Sequence, residues 1–241
     1  MEQKVKKGIL YLIPATLGDG PVTDTIPGKV LSLLPAVSCF IVEEVRTARR
    51  FLKKAVPAID IDDLTFLVFN EHSAKSDLEE FIKPLINGQD VGLLSEAGLP
   101  CIADPGSEIV RRAHEEGIRV IPLTGPSSIL LSLIASGFSG QNFAFHGYLP
   151  VDRQERKKKL KELEHTARTR QQTQIFIETP YRNIRMFEAI LEACMDSTGL
   201  CIAADLTTAK EFIKTMTVRE WKKLKPSIEK VPVVFLISCE F

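Results

Sequence analysis

The chain has 241 residues, 31 basic and 31 acidic side chains and therefore no formal net charge, with 44% hydrophobic and 26% charged residues. This balance excludes a protein that coats nucleic acid by overall charge, leaves a local basic face open, and gives enough apolar material for the cores of two modest domains. No apolar run approaches membrane-spanning length, and residues 1–14, MEQKVKKGILYLIP, lack the apolar core and cleavage site of a signal peptide, so no membrane partner and a cytoplasmic address are expected.

The first half alternates strand-like and helix-like segments. GILYLIP (8–14) reads as a buried strand, followed by a turn-rich loop and a helical stretch around 29–34. SCFIVEE (38–44) is a second strand, VRTARRFLKKA (45–55) a helix and LTFLVFN (64–70) a third strand. Leu78, Phe81, Ile82 and Leu85 then recur at helical spacing behind a capping box of Ser76 and Glu79, with Pro84 inside. DVGLLS (90–95) is a fourth strand, SEIVRRAHEEG (107–117) a helix closed by Gly117, and IRVIPLTG (118–125) a fifth strand. PSSILLSLIASG (126–137) begins with a proline suited to a helix's first turn and ends on glycine. Continuous apolar strands alternating with helices predict an α/β domain whose mostly parallel sheet is covered on both faces.

After GFSGQ (137–141) the texture changes, which places a domain boundary there: an N-terminal domain over 1–138 and a C-terminal one over 139–241. The second domain reads as a mixed sheet with helices. Its strands are NFAFHGYLP (142–150), QIFIETP (174–180), GLCIAADL (199–206), KEFIKTMT (210–217) and VPVVFLIS (231–238), with a charged helix over 153–170 and an amphipathic one over 181–194. Five scattered cysteines without a C-x-x-C pair, and four histidines not at ligand spacing, predict reduced thiols and no metal site.

Ligands of open parallel sheets sit beyond the carboxyl ends of the strands. Three loops rich in glycine, proline and small residues fall there: 14–20 (PATLGDG), 95–106 (SEAGLPCIADPG) and 124–128 (TGPSS). None is a G-x-G-x-x-G or a triphosphate-cradling loop. Asp104 and Pro105 read as an N-cap and first helical residue, yet capping leaves 95–103 unexplained. Glu96 directly follows a strand end and is the acid to favour; Glu43 and Glu44, Glu71 and His72, and Glu178 occupy other strand ends. The basic helix RQERKKKLKELEHTARTR (153–170) reads first as a solvated face, because no aromatic residue interleaves its charges.

With those positions marked, LYLIPATLGD, FIVEEVRTARRFL, VGLLSEAGLPCIADPGSEIVRRAHEEGIRVIPLTGPSS, ASGFSGQNFAFHGYLP, IFIETPYR and ADLTTAKEFI together resemble the tetrapyrrole (corrin/porphyrin) methylases, S-adenosylmethionine-dependent methyltransferases. The resemblance is strongest to the branch that methylates a cytidine ribose 2′-oxygen in small-subunit ribosomal RNA, and it covers nearly the whole chain. It implies two α/β domains, a homodimer, and S-adenosylmethionine in a cleft between the domains. It assigns cofactor contacts to Pro14, Glu96, Ala97, Gly98, Ile102, Ala103, Pro126, Ser127, Ser128, Glu178 and Ala204. A ribose hydroxyl acceptor needs a general base, for which Glu96, Glu43 and Glu178 are the candidates.

The departures fall mainly on the substrate side. The ribosomal branch has Asp-Ala-Gly-Thr-Pro where this chain has Glu96-Ala97-Gly98-Leu99-Pro100, and Glu-Asp-Thr-Arg where it has Glu43-Glu44-Val45-Arg46. RNA is the partner the resemblance implies. A tetrapyrrole or other small-molecule methyltransferase, and a noncatalytic ligand-binding protein on the same scaffold, are the alternatives.

Overall fold

A computed structural model describes residues 6–70, 73 and 78–239. The expected capping residue Ser76, with Glu71 and His72, lies outside the described residues. The chain divides into two compact units, Met1–Ser127 and Ser128–Phe241.

In the first unit β1 (Ile9–Ile13), α1 (Gly28–Leu33), β2 (Cys39–Val42), α2 (Val45–Ala55), β3 (Thr65–Val68), α3 (Leu78–Ile86), β4 (Val91–Leu94), α4 (Ser107–Glu115) and β5 (Arg119–Pro122) follow in order. The strands form one sheet, β3-β2-β4-β1-β5, in which every pairing is parallel. Successive strand residues point to opposite faces, and both faces are apolar. Phe40, Val42 and Ile13 pack with Val30 of α1 and Phe51 and Leu52 of α2. Cys39, Ile41 and Leu10 pack with Ile82 and Leu85 of α3 and Ile109 of α4. β1 leads on past β4 to β2 with α1 on one face, and β4 leads on past β1 to β5 with α4 on the other, so the two connections leave adjacent central strands over opposite faces.

The second unit contains α5 (Ser128–Ser136), β6 (Phe143–Tyr148), α6 (Arg153–Arg170), β7 (Thr173–Glu178), α7 (Asn183–Ala193), β8 (Gly199–Ala204), β9 (Phe212–Thr217), α8 (Val218–Trp221) and β10 (Val233–Ser238). Its sheet, β6-β7-β10-β8-β9, is mixed: β6 and β7 are parallel and the other neighbours antiparallel. The division precedes α5, whereas the change of texture in the sequence falls after it. The physical reason is packing: α5 lies against β8, β9 and β10, and the Thr215 hydroxyl donates to the Ser136 carbonyl at 2.8 Å. Pro126 stands two residues before α5 and not in its first turn as expected.

The amphipathic signal of α6 is weak, yet the helix is well anchored. Asp152 accepts from the backbone N–H groups of Gln154 and Glu155, both at 2.9 Å, and Leu160 and Leu163 reach the core. That core centres on Phe176 and Phe235, stacked with ring centroids 5.8 Å apart, and includes Trp221. Phe176→Ala is expected to cost about 3–5 kcal/mol of stability, lowering the urea midpoint read by Trp221, the chain's single tryptophan. An unchanged midpoint would remove Phe176 from the cooperative core.

Candidate active site

The three strand-end loops of the first unit are laced together. After β1, the Ala15 N–H donates to the Gly98 carbonyl (2.9 Å) and the Gly98 N–H returns a bond to the Ala15 carbonyl (3.2 Å). The buried Ser95 hydroxyl donates to the same Gly98 carbonyl at 2.9 Å. Gly98 has φ +74°, and a Cβ there would stand 3.1 Å from Leu17 and 3.4 Å from the Pro126 carbonyl oxygen. The loop after β5 closes the group, since a Cβ on Gly125 would meet the Pro14 ring at 2.2 Å. Pro14, Gly98 and Pro126 are thus parts of one structure, brought together from three places in the sequence.

Beyond Gly98 the chain is strained and held. Cys101 and Ala103 adopt φ of 69° and 62°, a left-handed conformation costing an L-residue about 1–2 kcal/mol. The Asp104 carboxylate accepts from the Cys101 N–H (2.9 and 3.0 Å) and from the Gly106 N–H (2.8 Å). Asp104 therefore clamps the loop and does not cap α4. The N-cap is Gly106, and α4 starts at Ser107, so Pro105 is not its first residue. The order Asp-Pro-Gly suits an Asx turn equally well, which is why sequence spacing misassigns it. Burial pushes the Asp104 carboxyl above its ordinary pKa, against the pull of its two backbone donors. Burial and then Asp104 push the Cys101 thiol up to about 11. The held loop presents Ala97, Ile102 and Ala103 to solvent, with Ile102 42% exposed.

The structure separates the acids. Glu44 caps α2, accepting from the N–H groups of Arg46 (2.7 Å) and Thr47 (2.6 Å). The Thr47 hydroxyl and these backbone donors hold it below the usual carboxylate range. Glu43 and Glu96 line one small cleft between the ends of β2 and β4, together with Thr47 and Leu94. Glu96 is exposed and makes no hydrogen bond or ion pair among the described residues.

In the second unit Glu178 is 4% exposed. One of its oxygens receives Arg182 Nη2 (2.6 Å), Arg182 Nε (2.9 Å) and the Thr179 N–H (2.7 Å). Its other oxygen is buried without a partner. Glu178 and Ala204 both pair with Val233, so they flank it at one end of the sheet, where Asp205 and Thr207 have φ of 49° and 68°. Pro14, Pro126, Ser127 and Ala204 are buried and Ser128 half-buried, so any ligand contact they offer is chiefly through the backbone. Sequence reasoning missed Asp104 as a clamp on Cys101 and Gly106, Ser95 as a donor to Gly98, and Arg182 as the partner of Glu178. Among the described residues no cluster of three histidine, cysteine or acidic side chains could hold a metal ion.

A parallel sheet with close-fitting, rigid loops over its two central strand ends is the arrangement of an α/β enzyme that seats a small ligand. The chain belongs to the tetrapyrrole (corrin/porphyrin) methylase family, whose model matches residues 10–222. Over 212 residues it is 34% identical to the ribosomal RNA small subunit methyltransferase I of Bacillus subtilis (strain 168), covering 88% of this chain and 68% of that protein. The protein of the same name from Escherichia coli O157:H7 is 31% identical over 235 residues, 96% of this chain and 78% of its own. Among solved structures, the methyltransferase CobJ superposes with a TM-score of 0.62 at 20% identity, covering 96% of this chain and 94% of its own. The uroporphyrin-III-C-methyltransferase of Thermus thermophilus does so with a TM-score of 0.56 at 17% identity, covering 96% and 92%. At these identities the structural likeness establishes the fold.

Asp104→Ala leaves two backbone donors unpaired beside strained residues and is expected to cost about 1–3 kcal/mol, read as a lowered Tm. Asp104→Asn keeps the oxygen that both donors share and should stay near wild type. The raised pKa means the fold favours the protonated acid. That contribution is complete below the ordinary carboxylate pKa and is lost as pH rises through the raised value; the Asn variant should lack this dependence. Equal losses in both variants would show that the clamp is not what holds the loop.

Proposed function

We propose that this protein transfers a methyl group from S-adenosylmethionine to a ribose 2′-hydroxyl of small-subunit ribosomal RNA. The observation that carries the reading is the lacing of the three loops at Gly98, beneath a stiff apolar rim and beside an uncommitted carboxylate at Glu96. The chemistry of the site fits the cofactor. In the first unit small side chains permit close approach, and Ala97, Ile102 and Ala103 offer apolar surface; in the second, taken by itself, the buried oxygen of Glu178 without a partner among the described residues is an acceptor for an amine or hydroxyl hydrogen. The similarity to ribosomal RNA methyltransferases supports RNA as the acceptor class.

When bound, S-adenosylmethionine supplies a methyl group on a cationic sulfur that departs as a neutral thioether. What remains for the protein is alignment, exclusion of water and removal of one proton. Glu96 takes that proton from the ribose hydroxyl, which is almost wholly protonated at neutral pH, as the oxygen–carbon bond forms. Glu43, in the same cleft, is the second acid facing the acceptor. Glu44 is committed to its cap, and Glu178 to Arg182, which leaves Glu178 a cofactor contact and not the base. Pro14, Gly98, Pro126, Ser127 and Ser128 contribute backbone, as does Ala204 in the second unit.

Transfer of labelled methyl to small-subunit RNA should leave an alkali-resistant dinucleotide, the mark of a blocked 2′-oxygen. Glu96→Gln should lower kcat by about 10²–10⁴-fold while S-adenosylhomocysteine binding in a titration calorimeter stays within twofold. Methylation of a porphyrinogen with none of RNA would overturn the acceptor; normal kcat in the variant would remove Glu96 as the base. The reading includes a cytoplasmic homodimer, for which sedimentation should give twice the 26.9 kDa chain mass.

A further inference from the structure

Away from the loops already described, the second unit holds a cleft of about 520 Å³ between the loop after β8, strand β9, α8 and the segment leading to β10. Phe212, Trp221 and Leu224 give it an apolar, partly aromatic lining, and Lys210, Lys214 and Lys225 line it as well. In a chain with no net charge, residues 210–230 hold seven basic and three acidic side chains. Lys210 and Lys225 are exposed and make no ion pair among the described residues. Lys214 shares its field with Glu220. Asp205 and Glu229 add acceptors at the rim.

One wall of the cleft is fixed by the fold. Asn183, fully buried at the start of α7, donates through Nδ2 to the carbonyls of Ile228 (3.1 Å) and Val231 (2.7 Å). The Lys230 N–H donates to the Pro180 carbonyl at 3.1 Å. These bonds tie the segment after α8 to the start of α7. Helix α6 is equally basic in sequence, with eight basic and three acidic residues over 153–170. There, however, Arg153 pairs with Glu192, Lys159 with Glu162, and Arg156 is buried. No aromatic residue accompanies those charges.

Unpaired ammonium groups in an apolar, partly aromatic lining match an anion carrying a flat apolar ring. We propose that the cleft is a second RNA contact, holding one nucleotide of a single-stranded stretch of the substrate: its phosphate against Lys210 and Lys225, its base over Phe212 and Leu224. The proposal rests on the RNA reading above. The cleft begins at Asp205, one residue beyond Ala204 at the end of β8.

The test is binding of a fluorescent single-stranded oligoribonucleotide, by anisotropy over a salt series, to wild type, Lys210→Gln/Lys225→Gln and Lys157→Gln/Lys158→Gln on α6. Each phosphate contact contributes about 0.7 to the slope of log affinity against log salt. The cleft variant should therefore lose roughly 0.7 from that slope, with S-adenosylhomocysteine binding unchanged and the α6 variant like wild type. An unchanged slope in the cleft variant, while wild type binds RNA, overturns the cleft and leaves the RNA reading standing. Loss confined to the α6 variant does the same and moves the contact to α6. Wild type that binds S-adenosylhomocysteine but no RNA overturns both.

Discussion

The reciprocal hydrogen bonds between Ala15 and Gly98 are the constraint on which the candidate site depends. β1 and β4 are neighbours in the sheet, and each ends in a loop whose backbone polar groups have left the ladder and need new partners. By pairing with each other, the two loops extend that neighbourhood one step past the sheet. The left-handed conformation of Gly98 makes this geometry available, and the absence of a side chain lets the Pro126 carbonyl approach. Ser95, from the same loop as Gly98, adds a second bond to that carbonyl, so the loops after β1 and β4 share one anchored point.

Past that point the chain accepts strain at Cys101 and Ala103, which the Asp104 carboxylate offsets by gathering two N–H donors. Positive φ at residues with side chains recurs at Asp205 and Thr207, again just beyond a strand end. The other side-chain-bearing residues with positive φ are Gln171, at the C-cap of α6, and Lys230, before β10. The second unit fixes its ends with buried polar groups. Asn183 holds the segment before β10, Trp221 Nε1 donates to the Leu200 carbonyl at 2.8 Å, and Glu164 accepts from the Met195 N–H at 2.7 Å and from the Thr198 hydroxyl. Each makes buried hydrogen bonds that are costly to break and therefore specifying, although Asn183 Oδ1 has no partner among the described residues.

The elements were legible because strands buried on both faces read as apolar runs, and because α3 and α4 repeat their apolar residues at helical spacing. The three site loops were legible from position and composition. What could not be read was which acid is committed. Glu43, Glu44, Glu96 and Glu178 are all strand-end acids in sequence; their difference lies in whether a donor stands opposite. For Glu44 and Glu178 that donor is local, at Thr47 and Arg182, and for Glu44 the N-cap spacing alone could have raised it. For Glu96 nothing local bears on the matter. The membership of α5 was hidden for a different reason: its attachment to β8, β9 and β10 is made by packing from strands 60 to 110 residues later in the chain, which no local pattern encodes.

The departures from the ribosomal branch acquire meaning from burial. Within Glu96-Ala97-Gly98-Leu99-Pro100, the positions kept are those that determine the backbone: Gly98 at the bridge, and Pro100, buried behind it. The positions that differ are Glu96, exposed, and Leu99, half-buried. Glu96 in place of aspartate lengthens the side chain by about one carbon–carbon bond without disturbing the anchored loop. A methyl transfer depends on the approach of the acceptor oxygen more than on any bond the protein makes to it. Under the proposed role of Glu96, a carboxylate that reaches one bond further from an unmoved loop shifts where that acceptor must stand, so that the anchored backbone and the rim side chains contribute separately to the fit.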